Sequence, residues 1–261
     1  MLEQRCDFLR SLHVPGAPLV LPNAWDVASA KAVVKASFPV VATTSAGVAA
    51  ALGYEDHESA PADEMLAAAA RIARSVEVPV TVDAEAGYGM TPGDLVDALL
   101  SISVAGCNLE DTDHPTGSLI DMDRQAEWLA AVRTAAADRG YGLVINARID
   151  VFLAGRPAKP DGADLDEALI RARSYRAAGV DCVYPILLQD ADAIAAFVDG
   201  AEAPVNILAL PQAPPIARLA ELGVARISYG PLVHRRAMQD LATFLGQLTS
   251  ANRTPQAASP E

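Results

Sequence analysis

Eight short runs of consecutive apolar, often β-branched residues constrain the fold of this chain more than any other feature. They are Leu19–Leu21, Pro39–Ala42, Pro79–Val82, Cys107–Leu109, Leu143–Ile145, Cys182–Tyr184, Val205–Leu208 and Ala225–Ser228. A strand with one wet face alternates polar and apolar residues. These runs do not alternate, so each reads as a strand covered on both faces, as in a parallel sheet. The segments between them are long enough for one helix each. Strand–helix alternation repeated eight times predicts an α/β protein, a (β/α)8 TIM barrel. The 261 residues suit it, since such a barrel takes roughly 250 residues. The rival, an open doubly wound sheet, wants a glycine-rich phosphate loop after its first strand. Here that strand is followed by Pro22-Asn23-Ala24-Trp25-Asp26, without glycine.

Local punctuation agrees. Ala105-Gly106-Cys107, Ala178-Gly179-Val180 and Leu222-Gly223-Val224 each close an Ala/Leu-rich stretch and open a strand. Glycine just past a helix end takes the left-handed conformation at little cost. Thr91-Pro92-Gly93-Asp94 offers a cap, a first-position proline and an acidic third residue. Residues 1–249 therefore form a single barrel domain, its last helix expected over Leu232–Leu248. Residues 250–261, without apolar period, read as a mobile tail.

The formal net charge of −13 makes phosphate backbones and anionic lipid poor partners, so neither nucleic acid nor membrane is expected. An acidic protein that takes a small anion needs a local inversion of sign, from a bound cation or an arginine. The three cysteines, Cys6, Cys107 and Cys182, fit no disulfide ladder or zinc spacing and read as core thiols. No signal-peptide order opens the chain, and no apolar run approaches the ~18 residues of a membrane span. The expected compartment is the cytoplasm.

In such barrels the chemistry follows the C-terminal ends of the strands. Trp25 and Asp26 follow strand 1. Thr43-Thr44-Ser45-Ala46-Gly47 follows strand 2, with Asp56 and His57 further out. Asp83-Ala84-Glu85-Ala86-Gly87-Tyr88-Gly89 follows strand 3, Glu110-Asp111 strand 4, Asn146-Ala147-Arg148-Ile149-Asp150 strand 5, and Asn206 belongs to strand 7. Two residues apart on an extended strand, Asp83 and Glu85 point the same way, and the neighbouring strand, ~4.8 Å away, brings Glu110 close. Carboxylates this crowded raise one another's pKa unless a cation joins them. All-oxygen ligation favours Mg²⁺ or Mn²⁺ over zinc; a solvated acidic rim is the plain alternative. The fork of Arg148 suits a carboxylate or phosphonate, although a pairing with Asp150 would also occupy it. The Ser45–Gly47 turn offers a hydroxyl and N–H donors to an enolate or carboxylate oxygen. Cation, arginine and N–H donors at one mouth describe a site for a small 2-oxo acid.

These residues, in this order, resemble the isocitrate lyase / phosphoenolpyruvate mutase superfamily. The matching pieces are Pro22–Asp26, Thr44–Gly47, Val82–Gly89, Leu109–Asp111 and Asn146–Arg148, with weaker agreement from Ala178 to Arg226. The resemblance implies a Mg²⁺-dependent barrel, usually a homotetramer, often with the last helix exchanged between subunits. Members make or break C–C or P–C bonds beside a 2-oxo acid. By position, Asp83 looks like the central metal ligand. Glu85 and Glu110 look like outer ligands reached mostly through water, with Asp56 also near the metal. Ser45 with the Ala46 and Gly47 amides looks like the 2-oxo oxygen site, and Arg148 like the anion clamp. Trp25, Thr43, Asp83 and Asn206 complete the expected substrate contacts.

Two departures bear on the reaction. The lyase branch carries Lys-Cys-Gly-His after strand 4, its cysteine acting as general acid. Here the stretch is Asp113-His114-Pro115-Thr116-Gly117-Ser118-Leu119. The mutase and phosphonopyruvate hydrolase branch has a Lys and an Asn in this loop. Thr116 stands about where that Lys would be, and no Asn follows. Glu85, in turn, stands where the best-known members have Asp. His114, with a pKa near neutrality, is the candidate proton carrier, and Tyr88 is a second. His57 beside Asp56 is less favoured. Arg148, His114, Tyr88 and Glu110 are thus the expected catalytic set. The expected function is a Mg-dependent lyase that cleaves a C–C bond of a small 2-hydroxy or 2-oxo carboxylic acid through an enolate. The alternatives are P–C chemistry on a phosphonopyruvate-like substrate and a barrel that binds 2-oxo acids without turnover. A dimer or tetramer of identical chains is expected.

Overall fold

The computed structural model describes residues 2–153 and 162–251. Its eight barrel strands are β1 (Leu19–Leu21, resuming after Pro22 as Asn23–Ala24), β2 (Val41–Thr43), β3 (Val80–Asp83), β4 (Gly106–Glu110), β5 (Val144–Ile149), β6 (Cys182–Pro185), β7 (Asn206–Leu208) and β8 (Arg226–Ser228). Each falls on one of the eight apolar runs, and all barrel pairings are parallel. The ladders form two arcs. One runs from Asn23–Ala24 through β2, β3, β4 and β5 to β6; the other joins Leu19–Leu21 to β8 and β7. Pro22, which has no N–H, separates the two ladders on the first strand. The ring closes there through chain continuity, and on the far side through a parallel bridge between Val183 and Val205. The Asn23 side chain fastens the first seam: Nδ2 donates to Thr43 O at 2.6 Å, and Oδ1 accepts from the N–H groups of Tyr229 and Gly230.

Helix α1 (Leu2–Ser11) precedes the barrel and covers its N-terminal end. Cys6 and Leu9 are buried there, and Arg10 donates to the carbonyls of Gly142 and Leu143 and to Asp181. The outer helices are α2 (Val27–Lys35), α3 (Ser45–Leu52), α4 (Ala62–Ala73), α5 (Pro92–Ser101), α6 (Met122–Asp138), α7 (Gly162–Ala177), α8 (Ala191–Gly200), α9 (Ile216–Glu221) and α10 (Leu232–Ala251). The cap expected at Thr91 is present, and α2 is capped as well, whereas α3, α4 and α9 begin without a side-chain cap. Asp26 forms a capping box with Ser29, and Thr91 Oγ1 accepts from Asp94 N–H ahead of Pro92. Gly179 and Gly223 take the left-handed conformation as expected (φ +92° and +85°). Gly106 does not: Ser103 makes that turn (φ +58°), and Gly106 opens β4. A Cβ there would lie 2.8 Å from Val144 O and 2.9 Å from Leu9 Cδ2, so close packing requires this glycine.

One apolar cluster joins the strands to the inward faces of the helices, and all three cysteines are buried and unpaired. Helix α10 runs on to Ala251, past the expected end at Leu248. From residue 252 the expected tail lies outside the described residues. Among the described residues no helix is long and apolar enough to cross a membrane.

Candidate active site

The acidic centre starts at the end of β3. Asp83 is held from two sides: its N–H donates to Thr43 Oγ1 at 2.9 Å, and its Oδ2 accepts from Ser45 N–H at 3.0 Å. Thr43 thereby positions Asp83. Ser45–Gly47, expected as a turn, is the first turn of α3, after Thr44 with no side-chain cap. Among the described residues the Ala46 and Gly47 N–H groups donate no hydrogen bond, as befits first-turn donors without a cap. The positive end of a helix thus faces the Asp83 carboxylate and stabilises its charge, while the Ala46 and Gly47 N–H groups still point out of the same turn. Gly47 is required for space: a Cβ would lie 2.7 Å from Thr44 Cγ2 and 3.1 Å from Trp25 Cβ.

Glu85 departs from the expected geometry. The strand ends at Asp83, and Glu85 takes a left-handed conformation (φ +49°), so the same-face reasoning for an extended pair does not apply. Its Oε1 accepts from Glu58 N–H at 2.7 Å. Glu58 returns the contact by accepting from the N–H groups of Ala86 and Tyr88, at 3.2 and 2.6 Å. No local pattern singles out Glu58, which works through backbone amides 28 and 30 residues away. Burial pushes the Glu85 carboxyl up to about 8 against the Glu58 amide, with the charges of Asp83, Asp56 and Glu110 adding to the rise. Burial likewise keeps the Tyr88 hydroxyl protonated far above its usual range, helped by the charges of Glu85, Asp83 and Glu58.

Across the mouth, Arg148 leaves β5 between two carboxylates. Its Nε lies 2.6 Å from Asp150 Oδ1 and its Nη2 3.2 Å from Asp150 Oδ2, while Nη1 is ion-paired with Glu110 Oε2. The pairing with Asp150 is therefore present. A guanidinium has five N–H donors, so two remain after these three contacts. Burial opposes the charge on Arg148, but Glu110, Asp150 and Asp83 outweigh it and keep the guanidinium protonated. Glu110 is raised by burial, which exceeds the opposing pull of Arg148.

His114 stands over this pair, its Nε2 2.7 Å from Glu110 Oε1. Burial lowers its pKa, but contact with Glu110 and the charges of Glu58 and Glu85 leave it raised. Its ring lies 5.6 Å from that of His57. The loop carrying it is a small hairpin, Thr112–Asp113 against Ser118–Leu119, unforeseen in the sequence. A cavity of about 530 Å³ opens here, lined by His57, Thr112, His114, Ser118, Arg148 and Asp150 among others.

Other expected contacts lie elsewhere. Trp25 packs edge-on against His234 of α10 at 4.9 Å and lines an outer groove with Val48, Leu52 and Ala68. Asn206 is fully buried inside the barrel, its Nδ2 3.3 Å from Ser228 Oγ.

Among the described residues three buried carboxylate oxygens accept no hydrogen bond: Asp83 Oδ1, Asp56 Oδ1 and Glu110 Oε2, of which the last is ion-paired with Arg148. Among the described residues no three His, Cys, Asp or Glu side chains are placed to hold an ion directly. Glu85 is turned to an amide, and Glu110 to Arg148 and His114. A donor set of one or two free carboxylate oxygens amid further acids suits Mg²⁺, which keeps several of its waters.

Comparison with known proteins converges on one family. Residues 9–249 match the phosphoenolpyruvate phosphomutase family profile. An uncharacterized protein of Mycobacterium tuberculosis is 34% identical over 94% of this chain and 90% of its own. A crystal structure from Burkholderia cenocepacia J2315, of a protein that carries a provisional phosphonomutase name, superposes with a TM-score of 0.90. It is 40% identical and covers 95% of this chain and 99% of its own. The 2-methylisocitrate lyase of Salmonella typhimurium is 27% identical over 89% of this chain and 83% of its own. The chain belongs to the phosphoenolpyruvate phosphomutase family, within the superfamily of lyases and mutases that also includes the isocitrate lyases.

Proposed function

We propose that this protein is a Mg²⁺- or Mn²⁺-dependent lyase that cleaves a carbon–carbon bond in a small 2-hydroxy or 2-oxo carboxylic acid. One observation carries this reading: the unpartnered Asp83 Oδ1 lies at the N-terminus of α3, with Arg148 across the mouth. Asp83 would hold the cation, with Asp56, Glu85 and Glu110 around it. The cation supplies Lewis-acid polarisation of the 2-oxo group. The Ala46 and Gly47 N–H groups stabilise negative charge developing on the substrate oxygen. The free Nη donors of Arg148 orient a carboxylate. His114 lines the cavity and is the proton carrier for the carbon released. Tyr88, locked in its protonated form, serves as a hydrogen-bond donor.

A second reading has one observation in its favour, the phosphonomutase name of the Burkholderia relative. It replaces C–C cleavage by P–C cleavage at the same site. The protein works as an oligomer of identical chains, an assembly supported by the exposed apolar face of α10.

One experiment separates these readings. The protein is incubated with Mg²⁺ and a panel of 2-hydroxy and 2-oxo acids plus phosphonopyruvate, with and without EDTA. Release of pyruvate or glyoxylate that EDTA abolishes supports the lyase. Phosphate release from phosphonopyruvate supports the second reading. Mg²⁺-dependent oxalate binding without any product would make the chain a non-catalytic binder, and absence of both turnover and binding overturns the site.

A further inference from the structure

From Arg148, Asp150 and Thr112 in the cavity wall, a continuous hydrogen-bonded chain leads out of the site. Asp150 grips the Nε edge of Arg148 and is itself held twice: Thr112 Oγ1 donates to its Oδ2 at 2.5 Å, and its N–H donates to Asp111 Oδ1 at 2.8 Å. Asp111 is fully buried. Its Oδ2 accepts from the Tyr175 hydroxyl at 2.7 Å and from Arg171 Nη1 at 3.0 Å. Arg171 and Tyr175 are four residues apart on α7 and so share one face. The same Arg171 Nη1 donates to the Ile120 carbonyl at 2.9 Å, and Ile120 N–H donates to the Asp111 carbonyl at 2.8 Å. Thr112 and Ile120 bracket the hairpin that carries His114. Arg148 and both ends of that hairpin are thus referenced to one pair of buried aspartates.

A fastening for α7 alone would stop at Asp111. Burying several charges also costs free energy that apolar packing of the same volume would not. The contacts that run on from Asp111 to Asp150 and Arg148 add nothing to the attachment of α7, and the bond from Arg171 to Ile120 ties the end of the hairpin to the same frame.

We propose that Asp111, clamped by Tyr175 and Arg171, is a positioning node. It sets Asp150 and through it Arg148, and it seats the His114 hairpin on the same frame, so that anion capture and hairpin seating are coupled. The inference rests on the reading of the mouth as a 2-oxo acid site.

The test uses the full chain with Mg²⁺ and oxalate as the probe, read by titration calorimetry. Tyr175→Phe and Thr112→Val are each expected to weaken oxalate binding about 3- to 10-fold, as befits the loss of one buried hydrogen bond. Thr112→Ser restores it, and the melting temperature of Thr112→Val without ligand stays close to that of the wild type. In an Arg148→Lys background, Thr112→Val costs less than about 2-fold more, because the two residues act in series. Wild-type affinity in both Tyr175→Phe and Thr112→Val, or a Thr112→Val loss that persists undiminished beside Arg148→Lys, overturns the node and leaves the site reading intact. Failure of the wild type itself to bind oxalate with Mg²⁺ overturns the site reading and the node with it. If Tyr175→Phe misfolds, the three substitutions at Thr112 and Arg148 decide the matter alone.

Discussion

Ser45 and Asp83 meet across neighbouring strand ends: the Ser45 N–H donates to Asp83 Oδ2 at 3.0 Å, which leaves Asp83 Oδ1 a buried acceptor without a partner. Asp83→Asn keeps an acceptor for the Ser45 amide and removes the charge. Mn²⁺ binding, followed by electron paramagnetic resonance, should weaken by at least about tenfold if Asp83 is the central ligand, as proposed. Undiminished Mn²⁺ uptake would take Asp83 out of the site.

Gly47 carries two constraints at once, a donor N–H and a position without room. Gly47→Ala forces a Cβ against Thr44 Cγ2 and Trp25 Cβ. Chemical denaturation should register a loss of about 1–3 kcal/mol, the usual range for overpacking. Oxalate affinity should fall with it, as the first turn of α3 moves off Asp83. Wild-type stability and affinity in Gly47→Ala would show that the turn yields without consequence.

His13 makes stability depend on pH at the opposite end of the barrel. It is buried, with Nδ1 2.9 Å from Leu9 O. Burial and the nearby Arg226 charge lower its pKa from 6.5 to about 4. The folded state therefore resists a proton that the unfolded chain accepts. This contribution is complete above the unfolded pKa of 6.5, erodes as pH falls, and is gone below about 4. Its full size is of order 3 kcal/mol. Urea midpoints should drop between about pH 7.5 and pH 5 in the wild type, and drop less in His13→Gln. Parallel loss in both proteins would assign the slope to other groups.

Helix α10 exposes Met238, Leu241, Phe244, Leu245 and Leu248, each more than two-fifths accessible in the single chain. Four of them, at positions 238, 241, 245 and 248, recur at helical three- and four-residue steps and so form one stripe. Burying such side chains contributes about 1.5–3 kcal/mol apiece. Light scattering after gel filtration should give a dimer or tetramer for the wild type, and monomers for Leu241→Glu combined with Leu245→Glu. A monomeric wild type would remove the proposed assembly.

The strands were legible because parallel strands are covered on both faces and so leave unbroken apolar runs. The order of acids after those strands was legible for the same reason: strand ends decide what reaches the mouth. The direction of each side chain was less so. Glu85 sits two residues past Asp83, but the intervening backbone leaves the strand, and a left-handed φ at a glutamate has no signature in the neighbouring residues. Ser45-Ala46-Gly47 reads as a turn because of its glycine, although Thr44 before it is a capping residue type and the segment is the first turn of α3. The Asp111–Arg171–Tyr175 cluster joins positions 60 and 64 residues apart, and only the closed barrel brings them together. At Arg148 the pairing with Asp150, offered by the sequence beside an anion clamp, is present, and two guanidinium N–H groups remain beyond the contacts to Asp150 and Glu110.

The break at Pro22 has a further consequence. Together with the lone Val183–Val205 bridge it divides the ring into a long arc and a short one. Asp83, Glu110 and Arg148 all stand on the long arc, and the short arc holds only Asn206 of the expected contacts. The ring is thus a chassis with two joints. Breathing at either joint would flex the short arc and leave the spacing of the charged residues undisturbed.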